Sequence, residues 1–189
     1  MPDADARKTN YDDVSIYPLD QQKIERLLEL QSECAVLWST KDGWPMGVMH
    51  RFVYQDGRFW VTCARQRKRV PALKARDKSA VIVTSEGTAL GRDQTLTAKC
   101  RAIVHDDDPE VKGWFYRALA LKLNNGDEQG AAAFQKFLDT PARVIIELVP
   151  TRWITYDGVK LAAHVAGQWQ PGEDWEQELP PAPPWVAKL

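Results

Sequence analysis

A run of cationic residues, Arg65–Arg69, is the part of the sequence best suited to bind a ligand by charge. Between Arg65 and Lys78 there are seven positive side chains and a single carboxylate, Asp77, although the formal charge of the whole chain is −1. The excess of positive charge is therefore local, and it indicates an anionic ligand. Guanidinium groups beside the start of a helix are a typical phosphate site. The alternative interpretation is a solvated surface loop.

Length and composition limit the class of protein. A chain of 189 residues, 44% hydrophobic and 27% charged, is sufficient for one globular domain with a substantial core. The balanced charge argues against a nucleic-acid or membrane-surface partner, and the apolar runs are too short to span a membrane. We find no signal peptide, and we expect a cytoplasmic protein. The odd number and wide spacing of Cys34, Cys63 and Cys100 predict reduced core thiols.

Helix signals lie on both sides of the cationic run. Asp20 is placed to cap a helix whose apolar residues recur at helical spacing. Proline favours the first helical position, which predicts a short helix opening at Pro71, after the cationic run. Asp108 and Pro109 predict another helix start. The fourth predicted helix contains Phe134, Phe137 and Leu138.

Strand signals dominate the middle of the chain. Asp-Gly pairs at 42–43 and 56–57, each between apolar runs, predict two tight hairpins. The predicted strands are Cys34–Thr40, Trp44–Tyr54, Arg58–Cys63, Ser79–Ser85, Thr95–His105, Arg143–Val149 and Arg152–Tyr156. About six short strands with turn-linked neighbours predict a mainly β fold with α (α+β), an antiparallel six-stranded barrel with flanking helices.

Several short segments carry a family resemblance. They are Cys34–Thr40, Asp42–Pro45, Asp56–Thr62, Arg67–Lys68 and Asp77–Val81. In their content and order the chain resembles the pyridoxamine 5′-phosphate oxidase-like, FMN-binding split-barrel superfamily, and within it the flavin/deazaflavin oxidoreductases. The resemblance spans roughly residues 24–157 and implies a homodimeric split barrel. The substrate signature of true pyridoxamine phosphate oxidases is absent, so vitamin B6 synthesis is not expected.

The resemblance also implies a cofactor and its ligands. Members of the superfamily hold FMN, the deazaflavin coenzyme F420 or occasionally haem in a groove between two barrels, with the cofactor phosphate near the turn after the third strand. Thr62, Arg67 and Lys68 occupy the matching positions, while Arg65 and Arg69 would serve a longer anionic tail. The predicted cofactor-binding residues are Thr62, Arg65, Arg67, Lys68 and Arg69, with His50 and Arg51 from the preceding strand.

The implied function is flavin-dependent hydride transfer to or from a small organic substrate. A flavin or deazaflavin supplies that chemistry itself, which agrees with the lack of a paired-carboxylate, Ser-His-Asp or HExxH pattern; the catalytic side chains therefore stay unknown. The residues around Arg67 favour FMN, and a deazaflavin-dependent reductase is the first alternative. A non-catalytic flavin or haem binding or sensing protein is the second. A nucleic-acid-binding barrel is disfavoured because the basic run lacks interleaved aromatics.

Three further features have simpler interpretations. His105 with the acidic residues 106–108 suggests a metal site, but an acidic first turn is ordinary helix capping, and we predict no metal site. Cys63 has no identifiable base beside it, which disfavours a nucleophilic role. His164 is a single histidine, so it gives weak support for haem.

Three of the eight tryptophans, Trp169, Trp175 and Trp185, fall in a Pro- and Glu-rich tail. Large aromatic side chains are unfavourable in water, so we expect the tail to pack on its own barrel or on a partner subunit. The predicted organisation is an N-terminal extension (1–18), a split-barrel cofactor domain (19–160) and the tail (161–189).

Overall fold

The computed structural model describes residues 11–189, so most of the predicted N-terminal extension, residues 1–10, lies outside the described residues. The strands are β1 (Glu33–Ser39), β2 (Pro45–Gln55), β3 (Arg58–Ala64), β4 (Lys78–Thr84), β5 (Gln94–His105) and β6 (Arg143–Asp157). The helices are α1 (Gln21–Leu30), α2 (Arg69–Ala75), α3 (Pro109–Leu123), α4 (Glu128–Leu138) and α5 (Gly158–Val165). Short 3₁₀ turns cover Val14–Ile16 and Val186–Lys188. None of the helices within residues 11–189 is long and apolar enough to cross a bilayer.

The strands close into an antiparallel barrel in the order β1-β2-β3-β6-β5-β4. This confirms the predicted six-stranded barrel with flanking helices. The hairpin between β2 and β3 turns on Asp56 and Gly57, whose φ values are 53° and 75°. Positive φ at both positions is what a tight hairpin requires, which explains the Asp-Gly signal in the sequence.

The last strand differs from its prediction. The sequence predicts separate strands at residues 143–149 and 152–156, but the two segments form one strand, β6, which runs through Pro150. A proline has no N–H to donate to a β-ladder. Cys100 pairs with Pro150 and Lys99 with Arg152, so Thr151 is an extra residue in a local irregularity. The Thr151 hydroxyl donates to the Lys99 carbonyl at 3.0 Å. The extra residue forms a β-bulge, and the pairing of β5 with β6 continues on both sides of it.

Alternating residues of the strands fill the barrel. The interior includes Val36, Phe52, Phe59, Val61, Val81, Leu96, Ile146 and Leu148. A second core lies outside the barrel, where Val53, Trp60 and Ile145 pack on Phe115, Tyr116 and Leu119 of α3. Each fully buried side chain of this size contributes roughly 1.5–3 kcal/mol. The helix α3 thus covers one outer side of β2, β3 and β6, which fixes its position beside the end of β3.

The helix starts show which local signals were sufficient. The Asp20 side chain accepts from the Lys23 N–H at 2.8 Å, and Asp108 caps α3 directly before Pro109, as predicted. The start of α2 was misplaced, because the helix begins at Arg69 and Pro71 is its third residue. A proline is tolerated there because the first-turn N–H groups have no partner within the helix.

The chain after the barrel continues in contact with it. Helix α5 was not predicted, and it crosses the expected tail boundary at residue 161. Beyond it, Trp169 is buried against Tyr17 and Ala163, and Trp185 is buried against the α3 residue Leu121 and its neighbours. The tail boundary itself stays a prediction.

Candidate functional site

The strands β2 and β3 separate at one end of their shared ladder. Their pairing runs from Gln55 opposite Arg58 to Phe52 opposite Val61 and stops there. Beyond that point β2 is paired with β1, and β3 is paired with β6. A cavity of about 290 Å³ occupies the gap. It is lined by residues 49–51 and 62–64, the residues that a continued ladder would have paired.

The gap admits side chains from both faces of the two strands. His50 and Cys63 share the alternation of Phe52 and Val61, which fill the barrel. Thr62 belongs to the opposite face, and it lies 3.3 Å from the Tyr116 hydroxyl of α3. The site therefore joins inward-facing and outward-facing residues, which a closed ladder would keep apart.

The cavity has a strongly cationic side. Four arginines line it, namely Arg51, Arg67, Arg69 and Arg143, and no carboxylate does. Arg51 already has partners, since one Nη lies 3.2 Å from a Glu33 carboxylate oxygen and the other donates to Ser32. The other three form no ion pair with any described residue. Three guanidinium groups thus face one cavity without a counter-charge, which is a site for an anion.

Thr62 positions one of these arginines. Its hydroxyl donates to the Val144 carbonyl at 2.9 Å, and Arg143 Nε donates to Thr62 Oγ1 at 3.3 Å. The hydroxyl proton is therefore engaged within the protein. Arg143 is brought here by the pairing of β3 with β6, in which it lies opposite Ala64.

Two buried nitrogen atoms at the cavity lack a hydrogen-bond partner, His50 Nε2 and Arg69 Nε. Only 8% of His50 is exposed. Burial, together with the charges of Arg69 and Arg143, lowers the pKa of His50 to about 4, so the imidazole is neutral at pH 7. A buried polar atom without a partner costs about 1–3 kcal/mol, which a bound ligand with acceptor groups would recover. The donor set therefore fits a phosphorylated cofactor.

Part of the cavity wall is apolar. It consists of Leu119 and Leu123 from α3 and Phe134 and Leu138 from α4. This combination of an anion site and an apolar wall fits a phosphate attached to a flat ring system. Burial also raises the pKa of the Cys63 thiol at this cavity, against the opposing effect of Arg69, so Cys63 is a protonated lining residue.

Two of the predicted cofactor ligands lie elsewhere. Arg65 donates from Nη1 to an Asp106 carboxylate oxygen at 2.8 Å, and Lys74 contacts the same carboxylate. The hydrogen bond from Lys74 is the main reason that the pKa of Asp106 is lowered. Lys68 lines a separate cavity beside Trp38. The structure thus brings together His50, Arg51, Thr62, Arg67 and Arg69, and it places Arg65 and Lys68 outside this group.

The sequence did not single out Arg143 or the helical wall. Arg143 opens a predicted strand, but its approach to Thr62 depends on which strand β6 pairs with. The apolar residues of α3 and α4 were recognised as buried faces, and nothing in their spacing separates a core face from a pocket wall. Both misses concern contacts between residues far apart in the chain.

The histidines outside the cavity have structural partners. His105 Nε2 lies 2.8 Å from Glu147, and the neighbouring Asp108 accepts from two N–H groups of the first turn of α3. His164 Nδ1 lies 2.7 Å from the Tyr17 hydroxyl in a different buried cluster. Within residues 11–189 no group of three or more His, Cys, Asp or Glu side chains is placed to hold a metal ion.

Comparison with known proteins supports the fold. No family model and no curated protein matches the sequence. Among solved structures, a conserved hypothetical protein of Mycobacterium tuberculosis superposes with a TM-score of 0.66 at 13% identity, covering 78% of this chain and 91% of that one. An F420 reductase gives 0.52 at 21% identity, covering 69% and 94%. A putative pyridoxamine 5′-phosphate oxidase of Listeria innocua gives 0.53 at 16%, covering 71% and 95%.

These similarities concern the fold. The superposition covers more than nine-tenths of each matched chain, so the likeness includes the whole barrel and not one motif. At such low identity the likeness concerns the fold, not the activity. The resemblance seen in the sequence is confirmed at that level: this chain has the pyridoxamine 5′-phosphate oxidase-like split-barrel fold.

Proposed function

We propose that the protein is an FMN-binding oxidoreductase that transfers hydride to or from a small organic substrate. The observation that carries the proposal is the presence of Arg67, Arg69 and Arg143 at a cavity that is lined by no carboxylate and has an apolar wall. A flavin supplies the hydride chemistry when it is bound. The arginines neutralise its phosphate, and Thr62 holds Arg143 in orientation. Neutral His50 offers Nε2 to a polar group of the ligand, and the helices α3 and α4 exclude water.

The ligand can be identified from the purified protein. We expect a flavin absorbance spectrum and FMN as the mass of the released ligand. Stripped protein should bind FMN at least about a hundredfold more tightly than riboflavin, since riboflavin lacks the phosphate that the arginines recognise. Equal affinity for the two would contradict the assignment of the arginines. Reoxidation of the reduced, bound flavin by candidate acceptors then separates an enzyme from a carrier.

Specific observations also support F420 or haem as the cofactor. A deazaflavin-dependent reductase is supported by the similarity to an F420 reductase, although Arg65, one of the two arginines assigned to an acidic tail, is paired with Asp106. A haem-binding protein is supported by the unpartnered His50 Nε2, which could act as an axial ligand. The absorbance spectrum distinguishes all three cofactors.

A cytoplasmic location belongs to the same proposal, and the three free, buried cysteines agree with a reducing compartment.

We also propose that the protein is a homodimer, because a mostly apolar row of side chains crosses one outer face of the barrel and is exposed at both ends. Strand register places Met49, Ala35, Ile82, Thr97 and Ile154 in one row across five strands. Met49 and Ile154 are 61% and 54% exposed. Apolar faces of this kind are typical of protein interfaces. Met49 also lines the arginine cavity, so a second copy on this face would cover the site.

Light scattering tests the dimer. The native protein is expected at twice 21.4 kDa, and Ile82→Lys is expected to shift it to the monomer mass because a charge would be buried at the centre of the interface. Phe137→Lys is the matched control, since Phe137 is 73% exposed on α4 and lies outside the row. A monomeric native protein, or an unaffected Ile82→Lys variant, would refute the proposed interface.

A further inference from the structure

A second cavity lies beside the arginine site and shares no lining residue with it. It has a volume of about 370 Å³ and lies between the β1–β2 hairpin and α2. Its floor consists of Trp38, Met46, Pro71 and Ala72. Trp38 and Met46 are opposite each other in the β1–β2 register, so both side chains project from the same face of the sheet. The floor therefore offers a continuous apolar surface large enough for an aromatic ring.

The rim of this groove is cationic. Lys41, Lys68 and Arg76 line it, and no carboxylate does. Arg76 is held in place by donating twice to the Ser39 carbonyl, at 3.1 Å each. Lys41 and Lys68 make neither an ion pair nor a side-chain hydrogen bond with any described residue, whereas nearby Lys74 is paired with Asp106. The rim thus has two amines available for a ligand.

One contact joins a residue of the groove to a residue of the arginine cavity. The Arg69 guanidinium lies 5.8 Å from the centre of the Trp38 ring, and it lines the arginine cavity while Trp38 lines the groove. A ligand in the groove would therefore contact Trp38, and Trp38 forms a cation–π pair with Arg69 of the arginine cavity. Its volume is sufficient for a small organic molecule but not for a peptide with ordered structure.

From these contacts we infer that the groove between β1 and α2 binds a small aromatic carboxylate, with the ring on Trp38, Met46 and Ala72 and the carboxylate at Lys41 and Lys68. Apolar walls alone would accept a neutral ring equally well. The two unpaired amines among the lining residues make the site selective for an anion. This inference does not require a flavin in the arginine cavity.

The test uses 2-naphthoate as the probe and 2-naphthamide as its neutral counterpart, titrated into the full-length protein by calorimetry. We expect naphthoate to bind at least about tenfold more tightly than naphthamide at low salt, and added salt to reduce the difference. Lys41→Gln with Lys68→Gln should remove the preference and leave naphthamide binding intact. Ala72→Phe, which fills the floor, should block both probes.

Controls separate this site from the first one. Lys99→Gln with Lys136→Gln removes two charges from exposed positions outside both cavities and should change nothing. Arg67→Ala with Arg143→Ala should leave naphthoate binding intact, so failure of the flavin proposal and failure of this one are distinguishable. Equal binding of both probes, or naphthoate binding unaffected by the two Lys→Gln changes, would overturn the inference. The inference would also be overturned if native protein bound neither probe and Lys41→Gln with Lys68→Gln changed the oligomeric state. That result would identify the groove as a contact with a second copy.

Discussion

Replacing Arg67 and Arg143 together by alanine is expected to weaken FMN binding by about three orders of magnitude. A hydrogen bond to a charged group contributes about 1.5–3 kcal/mol, and two of them are lost, which corresponds to a factor of about 10²–10⁴. The native affinity should also fall as salt is added, and the variant should show a weaker dependence. The measurement is a titration of stripped protein with FMN, in which the quenching of flavin fluorescence reports binding.

The matched control for that experiment also removes two positive charges, both from the cationic run at residues 65–69. Arg65→Ala with Lys68→Ala should lower the affinity by less than about fivefold, because Arg65 is paired with Asp106 and Lys68 lines the other cavity. Thermal denaturation confirms that both variants are folded. Equal losses in the two double variants would mean that FMN responds only to the number of positive charges, and the assignment of its phosphate to the arginine cavity would be wrong.

Replacing Lys122 by methionine is expected to change the pH dependence of stability more than any other single substitution. Its Nζ atom donates to the Leu28 carbonyl at 2.8 Å and lies 4.0 Å and 5.1 Å from the ring centres of Phe52 and Trp185. No carboxylate is paired with it among the described residues. Burial lowers the pKa of Lys122 to about 7, against the opposing effects of Cys34 and Glu29.

The sign follows from proton binding. Between pH 7 and 10.5 the unfolded chain holds the Lys122 proton and the folded protein does not, so the Lys122 contribution to the free energy of unfolding rises with pH. From pH 7 to 9.5 this amounts to about 3 kcal/mol. Methionine has no charge to desolvate, so the stability difference between variant and native protein should shrink by that amount over this range.

Urea denaturation of the two proteins at several pH values measures this difference. Comparing the proteins at each pH cancels the titration of groups that do not interact with Lys122. Cys34 does interact with Lys122, but burial raises the pKa of Cys34 to about 12, above the pH range of the comparison. Lys136→Met, at an exposed position of α4, is the control and should give a constant difference. A constant difference for Lys122→Met as well would show that the buried amine stays charged in the folded protein.

Local signals in the sequence predicted the parts of the fold that local interactions determine. Asp20 and Asp108 each satisfy N–H groups within three residues, so their helices start where the capping pattern indicated. The Asp56-Gly57 turn is equally local. Pro71 misled because proline is acceptable anywhere in a first turn, and the sequence gives no means of choosing among those positions.

The candidate site was only partly predictable because it is assembled from distant residues. Arg67 and Lys68 are neighbours in the chain, yet they line different cavities because the turn directs their side chains apart. Arg143 reaches the first cavity through the β3–β6 pairing, which no pattern around residue 143 specifies. Consecutive charges therefore identify a region, and the strand pairing decides which of them act together.

The end of the β2–β3 ladder also determines what can vary without loss of the barrel. At the gap each strand is held by its other neighbour, β1 or β6, so the width of the cavity depends on the strand order and not on a loop. The β2–β3 backbone pairing does not include residues 49–51 and 62–64. Substitutions at these six positions can therefore change the lining of the cavity without breaking a β2–β3 backbone hydrogen bond.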